Sequence, residues 1–216
     1  MCGTFCGCRS LKKINLSKWN TSKVKDMSFL FYGCSFKNLD LSNFDTSNVL
    51  NMRFMFYGCE SLKKLNLSNF DTSNVYDMSC MFEGCMSLVD LDLSYFNTIN
   101  LTKCLSMFNY CLNLKLLDLS NFDTSNVENM NNMFSYCTNL EKIILSNKWS
   151  TYKVKSANEM FAGCESLTDI DFSNFYIDNI MHLYYDGCRL SFGRSKMFNE
   201  CNPALIRKFK KEFRRP

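Results

Sequence analysis

A period of about 26 residues constrains this chain more than any other feature of its sequence. Phe-x-x-Cys recurs at Phe5/Cys8, Phe31/Cys34, Phe56/Cys59, Phe82/Cys85, Phe108/Cys111, Phe134/Cys137 and Phe161/Cys164, with successive cysteines 25 to 27 residues apart. The text between anchors is nearly copied, so that Leu65-Asn-Leu-Ser-Asn-Phe-Asp-Thr-Ser-Asn-Val75 returns as Leu117-Asp-Leu-Ser-Asn-Phe-Asp-Thr-Ser-Asn-Val127. The consensus is M-F-x-x-C-x-x-L-x-x-L-x-L-S-x-F-D-T-S-x-V-x-x-M. A unit this short cannot bury its own apolar face, but stacked neighbours can.

Each unit divides into pieces with different physical demands. Leu62, Leu65 and Leu67 end in period-two alternation, which predicts a short strand with one buried face. Ser-Asn-Phe-Asp-Thr-Ser then turns the chain, because Asn, Asp and Ser side chains bond their own backbone. Val75, Met78, Met81/Phe82 and Cys85 follow at steps of three and four, which predicts a short helix ending at Gly84. The expected fold class is therefore an α/β solenoid, a leucine-rich-repeat array of short parallel strands and short helices with a period of about 26 residues. Its expected parts are the solenoid over 1–183 with about seven coils, an irregular terminal coil over 184–201, and a basic amphipathic helix over 202–216.

Composition follows from the columns. Of the 20 Phe, eight fall in Phe-x-x-Cys (5, 31, 56, 82, 108, 134, 161, 198) and five more (44, 70, 96, 122, 175) follow Leu-Ser-x or its variants, with Trp19 and Trp149 substituting there. Both columns predict ladders of stacked rings. Seven of the 13 Cys share one column, where a free thiol packs as a small buried apolar group. Scattered disulfides and a metal site are the alternatives. An in-register ladder points its side chains in parallel, which disfavours disulfide geometry. Cys2, Cys6 and Cys8 give C-x3-C-x-C, short of the four paired ligands that zinc takes. Nucleophilic catalysis would rest on the one histidine, His182, in the degenerate stretch Asn179-Ile-Met-His-Leu-Tyr184. The expectation is a non-enzyme without cofactor.

These motifs resemble the BspA-like leucine-rich-repeat surface proteins, whose arrays carry M-F-x-x-C-x-x-L-x-x-L-D-L-S-x-F-D-T-S-N-V, and the resemblance covers roughly residues 5–180. It implies a cell-surface or secreted adhesin that binds host or neighbouring-cell proteins, with no catalytic residues and no cofactor. Met1-Cys-Gly-Thr-Phe-Cys-Gly-Cys8 shows neither the basic stretch nor the apolar core of a secretory signal, and no apolar run is long enough for a membrane helix. An intracellular scaffold, or a fragment of a longer surface protein, is the alternative expectation.

The partner surface is expected on the exposed face of the strands, formed by Lys64, Asn66, Asp90, Asp92, Leu116, Asp118, Lys142, Ile144, Asp169 and Asp171. Leu116 and Ile144 interrupt the polar rows as candidate contact points. Nucleic acid is excluded as a partner by charge distribution. Leu205–Pro216 holds six basic residues against one acidic, so of the formal net charge of +4 the tail carries +5 and everything before it −1. In the tail, Asn202-Pro203 reads as N-cap and first helical residue, and Leu205, Ile206, Phe209 and Phe213 form an apolar stripe. That stripe suits an end cap; peripheral contact with an anionic membrane is the second expectation.

Overall fold

In the computed structural model, residues 1–176 and 196–213 are described. His182 and Tyr185–Cys188 lie outside them. The strands are β1 (Asn38–Leu39), β2 (Lys64–Leu65), β3 (Asp90–Leu91), β4 (Leu116–Leu119) and β5 (Lys142–Leu145). All pair in parallel, each with the strand one repeat away. β1, β2 and β3 form one small open sheet with Leu39, Leu65 and Leu91 in register, and β4 pairs with β5 in a second. A second line of parallel bridges joins Asp26, Asn51, Asp77 and Lys103. Successive repeats thus lie side by side in chain order.

The strands are short because a turn is built into their sequence. In the Leu-Asx-Leu-Ser motif, the Oδ1 of Asn15, Asp40, Asn66, Asp92, Asp118 and Asp171 accepts the N–H two residues on at 2.8–3.0 Å. The same Asx turn recurs at Asp45, Asp71 and Asp123 of the Asp-Thr-Ser motif, and again at Asp26, Asn51, Asp77 and Asn129. The first, second, third and fifth repeats thus carry three Asx corners each, whereas Lys103 replaces one in the fourth and Ile144, Ser150 and Ser156 replace all three in the sixth.

The helix expected between Val75 and Cys85 is not formed, and its counterparts in the other repeats are absent too. Alternate N–H groups donate outward to the next repeat, as Phe29 does to Arg53, Phe31 to Met55 and Gly33 to Tyr57. The intervening ones, at Leu30, Tyr32 and Cys34, donate back three residues. A helix would turn every N–H back to the fourth carbonyl behind it. Left-handed residues also break the helical run twice in each repeat. One column is Phe29, Phe54, Cys80, Ser106, Asn132 and Glu159, with φ between 53° and 58°. The other is Gly33, Gly58 and Gly84 at φ 65° to 73°, continued by Tyr110 and Tyr136. A Cβ at Gly84 would lie 3.4 Å from the Cα of Gly58, so the glycines of this column stack closely. Tyr110 and Tyr136 accept the left-handed conformation and stack on each other at 4.7 Å. Spacing of three and four is thus produced by overlapping tight turns. Among the described residues the only α-helix is α1 (Pro203–Glu212), at the C-terminal end.

Inside, identical residues stack. Phe5, Phe31, Phe56, Phe82, Phe108, Phe134, Phe161 and Phe198 form an unbroken column with ring centroids 5.5–5.8 Å apart and planes within 13°. The column after Leu-Ser-x is looser, stacking at 6.3 Å for Phe96–Phe122 and 6.4 Å for Trp149–Phe175. Polar ladders run beside the rings. Thr21, Thr46, Thr72, Thr98 and Thr124 are buried, and each donates its hydroxyl to a carbonyl of the next repeat at 2.9–3.1 Å. Asn43, Asn69 and Asn121 donate their amides back to the preceding repeat.

Of the stretch 184–201, the described part takes up the repeat's own pattern. Phe161 N–H donates to Met197 and Gly163 N–H to Asn199, as Phe31 and Gly33 do to their neighbours. Then α1 (Pro203–Glu212) begins, with Asn202 Oδ1 accepting the Ala204 N–H at 2.9 Å and Pro203 in the first turn. Leu205 and Phe209 are buried, Phe209 packs on Phe172 and Phe198, and Lys208 pairs with Asp169. The apolar stripe of the tail therefore covers the last repeat.

Two outcomes test this packing. Phe108→Ala or Phe134→Ala should lose about 3–5 kcal/mol in denaturant unfolding, because either removes a fully buried ring with neighbours on both sides. A loss under about 1 kcal/mol would be inconsistent with the ladder. Deleting residues 203–216 should uncover Phe172 and Phe198 and raise dye binding and aggregation.

Candidate functional site

Of the ten residues expected to form the partner surface, Lys64, Asn66, Asp90, Asp92, Leu116, Asp118, Lys142, Asp169 and Asp171 are exposed, and Ile144 is half-buried. Strand register sets Lys64 beside Asp90, Leu116 beside Lys142 and Asp118 beside Ile144. Their chemistry is not uniform. Asn66, Asp92, Asp118 and Asp171 spend one oxygen on the Asx corner that ends each strand. Hydrogen bonds from Ser94 hold the Asp92 carboxyl below its ordinary value, and those from Ser173 do the same for Asp171. Asp169 is engaged by Lys208 of α1. Lys64 and Asp90 are register partners yet form no ion pair with each other, so both charges face outward.

Neighbouring positions that the sequence reading did not single out share this edge. Val89 and Met86 are 44 % and 36 % exposed, in the repeat before Leu116 at 48 %. Lys63 N–H donates to the Lys37 carbonyl at 3.1 Å, which places those two lysines on adjacent repeats at one level. Lys63 and Val89 each precede an expected contact residue, Lys64 and Asp90, by one position in the aligned columns.

A cleft of about 350 Å³ opens elsewhere, on the second line of bridges, between Arg53, Asp77, Lys103, Asn126, Glu128 and Asn129. Its charges are already committed. Arg53 lies 4.7 Å over the Phe54 ring and Lys103 5.9 Å over Tyr76. Glu128 pairs with Lys155, and Asp77 accepts from Ser79. Among the described residues no three His, Cys, Asp or Glu side chains converge in a way that could hold a metal ion.

The cysteine column is a structural ladder with its own hydrogen bonds. The thiols of Cys34, Cys59, Cys85, Cys111, Cys137 and Cys164 each donate to the Phe carbonyl of the preceding repeat at 3.0–3.2 Å. Every described cysteine is free, and Cys2 and Cys6 stand exposed. Burial pushes Cys59, Cys104 and Cys137 up to about 12 and raises Cys85, Cys111 and Cys164 well above the ordinary value. A thiol held protonated and buried is neither nucleophile nor ligand.

These parts define a parallel-stranded repeat protein whose polar surface is fixed by Asx corners. The chain belongs to the family described as "Mycoplasma protein of unknown function, DUF285", whose model matches residues 1–116 and 102–203. No curated protein and no solved structure matches it.

Thiol chemistry gives a test with a definite sign. In the native protein, Cys2 and Cys6 should label within minutes at neutral pH, with Cys59 through Cys164 protected until unfolding. Because the folded thiols keep their protons longer than the unfolded ones, their contribution to stability is complete below about pH 9 and is lost as pH rises toward 12. Cys137→Ala should flatten that alkaline decline by about 1.4 kcal/mol per pH unit. An unchanged slope would place the Cys137 thiol in contact with water.

Proposed function

We propose that this chain is a leucine-rich-repeat solenoid of the BspA-like kind that recognises a protein partner through its strand face, as a non-catalytic, adhesin-like module at the cell surface. The single observation that carries this reading is the edge where Leu116, Met86 and Val89 stand exposed beside outward charges on Lys64, Asp90 and Lys142. Apolar residues in a charged frame are the composition of a recognition surface, and stacked repeats present such a surface as an extended strip. The motif resemblance supplies the surface location and the adhesive role. No helix among the described residues is long and apolar enough to cross a membrane. Attachment through the basic face of α1 is a separate proposal, since Arg207, Lys210 and Lys211 point away from the repeats that Leu205 and Phe209 cover.

A second reading, an intracellular scaffold, draws on the thiols. Cys2 and Cys6 are exposed and free, a state that a reducing compartment maintains. The two readings share the strand face and differ in location.

Site-directed photocrosslinking on intact producing cells tests the shared face, and external protease separates the locations. A photoreactive residue in place of Leu116 should give a protein adduct that the same residue in place of Tyr152, exposed at another corner, does not. Adducts from both sites alike, or from neither, would remove the strand face as the binding surface. Loss of the chain when external protease is added to intact cells would place it outside; full protection would favour the scaffold.

A further inference from the structure

The strand edge is not evenly charged along the chain, although the body before the tail is close to neutral. Residues 1–64 hold ten basic and four acidic side chains, a balance of +6, whereas residues 65–141 hold two basic and nine acidic, a balance of −7. On the edge itself, Lys37 and Lys63 lie at one level on adjacent repeats, and Lys12 takes the same place in the first repeat. Lys13 and Lys64 stand one position further along. All five are exposed, and none forms an ion pair among the described residues.

Such a row is a local conflict. Like charges directly opposite on neighbouring strands destabilise the pairing. Later repeats avoid it, since Lys115 is followed in its row by Glu141, and Lys142 by Asp169. Departures from a locally consistent pattern concentrate where a surface serves something other than the fold. The acidic groups that share the edge of the first three repeats are Asp40, whose carboxylate is tied to Ser42, and Glu60.

The row ends on apolar ground. The fourth and fifth repeats put Val89 and Leu116 on the same edge, exposed at 44 % and 48 %, with Met86 beside them. Asp90, Asp92 and Asp118 stand among them with exposed side chains, three carboxylates against the one exposed lysine there, Lys115. A uniform polyanion laid along the edge would gain contacts over the lysines and then meet these carboxylates, which repel it. A ligand that is acidic at one end and apolar at the other meets no such penalty.

We propose that the strand edge of the first five repeats binds an extended acidic protein segment, its carboxylates over Lys12, Lys37, Lys63 and Lys64 and an apolar side chain on Val89 and Leu116. Adjacent strands lie about 4.8 Å apart and an extended chain rises about 3.3 Å per residue, so about six residues span the five repeats. The inference rests on the strand face being a recognition surface, and names the chemistry of its partner.

Fluorescence anisotropy with defined probes decides it. Three labelled hexapeptides serve: Glu-Thr-Glu-Ser-Leu-Phe, its composition-matched scramble with Leu and Phe separated by Glu, and hexaglutamate. The first should bind the full chain tightest and weaken as salt rises. Lys37→Glu/Lys63→Glu should weaken it about tenfold, with Lys37→Gln/Lys63→Gln intermediate, and Leu116→Ser should remove most of its advantage over hexaglutamate. Circular dichroism establishes that the variants are folded. Equal binding by the double variant and the parent would overturn the proposal, as would hexaglutamate binding as tightly as the acidic–apolar peptide. Tighter binding to phosphatidylserine vesicles or to a single-stranded oligonucleotide would overturn it in favour of a general polyanion surface. A crosslink at position 116 that persists while the peptide fails would leave the strand face standing and remove only this partner chemistry; loss of both would remove the face.

Discussion

Every repeat turns half of the N–H groups in its Met-x-x-x-Phe-x-x-Cys segment away from itself, and only the next repeat can accept them. Phe29, Phe31 and Gly33 donate to Arg53, Met55 and Tyr57, and the same three bonds recur one repeat on, from Phe54, Phe56 and Gly58 to Ser79, Met81 and Glu83. A buried backbone donor without a partner costs free energy comparable to a lost hydrogen bond. The backbone therefore fixes the register between neighbours before any side chain is considered. Once register is fixed at one repeat, each side chain meets its own copy, and a chain that repeats a residue repeats its contact. Phe stacks on Phe, Thr bonds beside Thr, and the Cys thiol meets the Phe carbonyl of the preceding repeat. The uneven composition follows from that register.

The ladders were legible in the sequence because they depend on period alone. Counting from Phe5 to Phe198 identifies the ring column without knowing what the backbone between the rings does. The backbone was not legible for the same reason. Apolar residues at steps of three and four fit a helix and a run of overlapping tight turns equally well. The difference lies in φ at Phe29, Phe54, Cys80 and Ser106, all left-handed and none a glycine. The glycines one turn later did carry a signal, but Gly84 reads as a helix end from sequence and is a left-handed step within a turn run in the structure. Sequence pattern registers where a side chain is buried; it does not register which way an N–H points.

Polar residues show the complementary failure. Asp-Thr-Ser reads as a surface turn, and Asp45 and Ser47 do form one. Thr46 between them is buried and bonds the next repeat. The distinction was recoverable from the copies themselves. Asp45 becomes Asn97 and Ser150, and Ser47 becomes Ile99 and Tyr152, while the threonine is unchanged at 46, 98 and 151. A position that holds one polar residue while its neighbours drift is held by a partner. The strand face divides in the same manner. Exposure of Asp92 and Asp118 was predictable from alternation, but their tie to Ser94 and Ser120 makes them parts of the corner first and contact residues second.

The C-terminal end shows what the array requires of whatever lies next to it. Phe161 and Gly163 would have unmet N–H groups, and Met197 and Asn199 accept them. Phe198 continues the ring column at 5.6 Å. The thiol ladder does not continue in step: Cys201 donates to the Cys164 carbonyl at 3.7 Å rather than to that of Phe161. The backbone and ring requirements are kept where the thiol contact is relaxed. That order matches the magnitudes, since a buried unpaired N–H costs roughly 1–3 kcal/mol, an aromatic pair contributes about 0.5–1.5 kcal/mol beyond its burial, and a thiol is a weak donor. From Asn202 onward a different element takes over, with Asn202 N–H donating to Cys164 and its side-chain amide to Glu165. A helix satisfies its own backbone beyond the first turn, so α1 meets the needs of the last repeat on one face without presenting a new row of donors on the other. An element that donates to and covers the repeat on one side and asks nothing on the other is the physical definition of a cap. The basic residues left on its outer face are thereby free of any part in holding the repeats together.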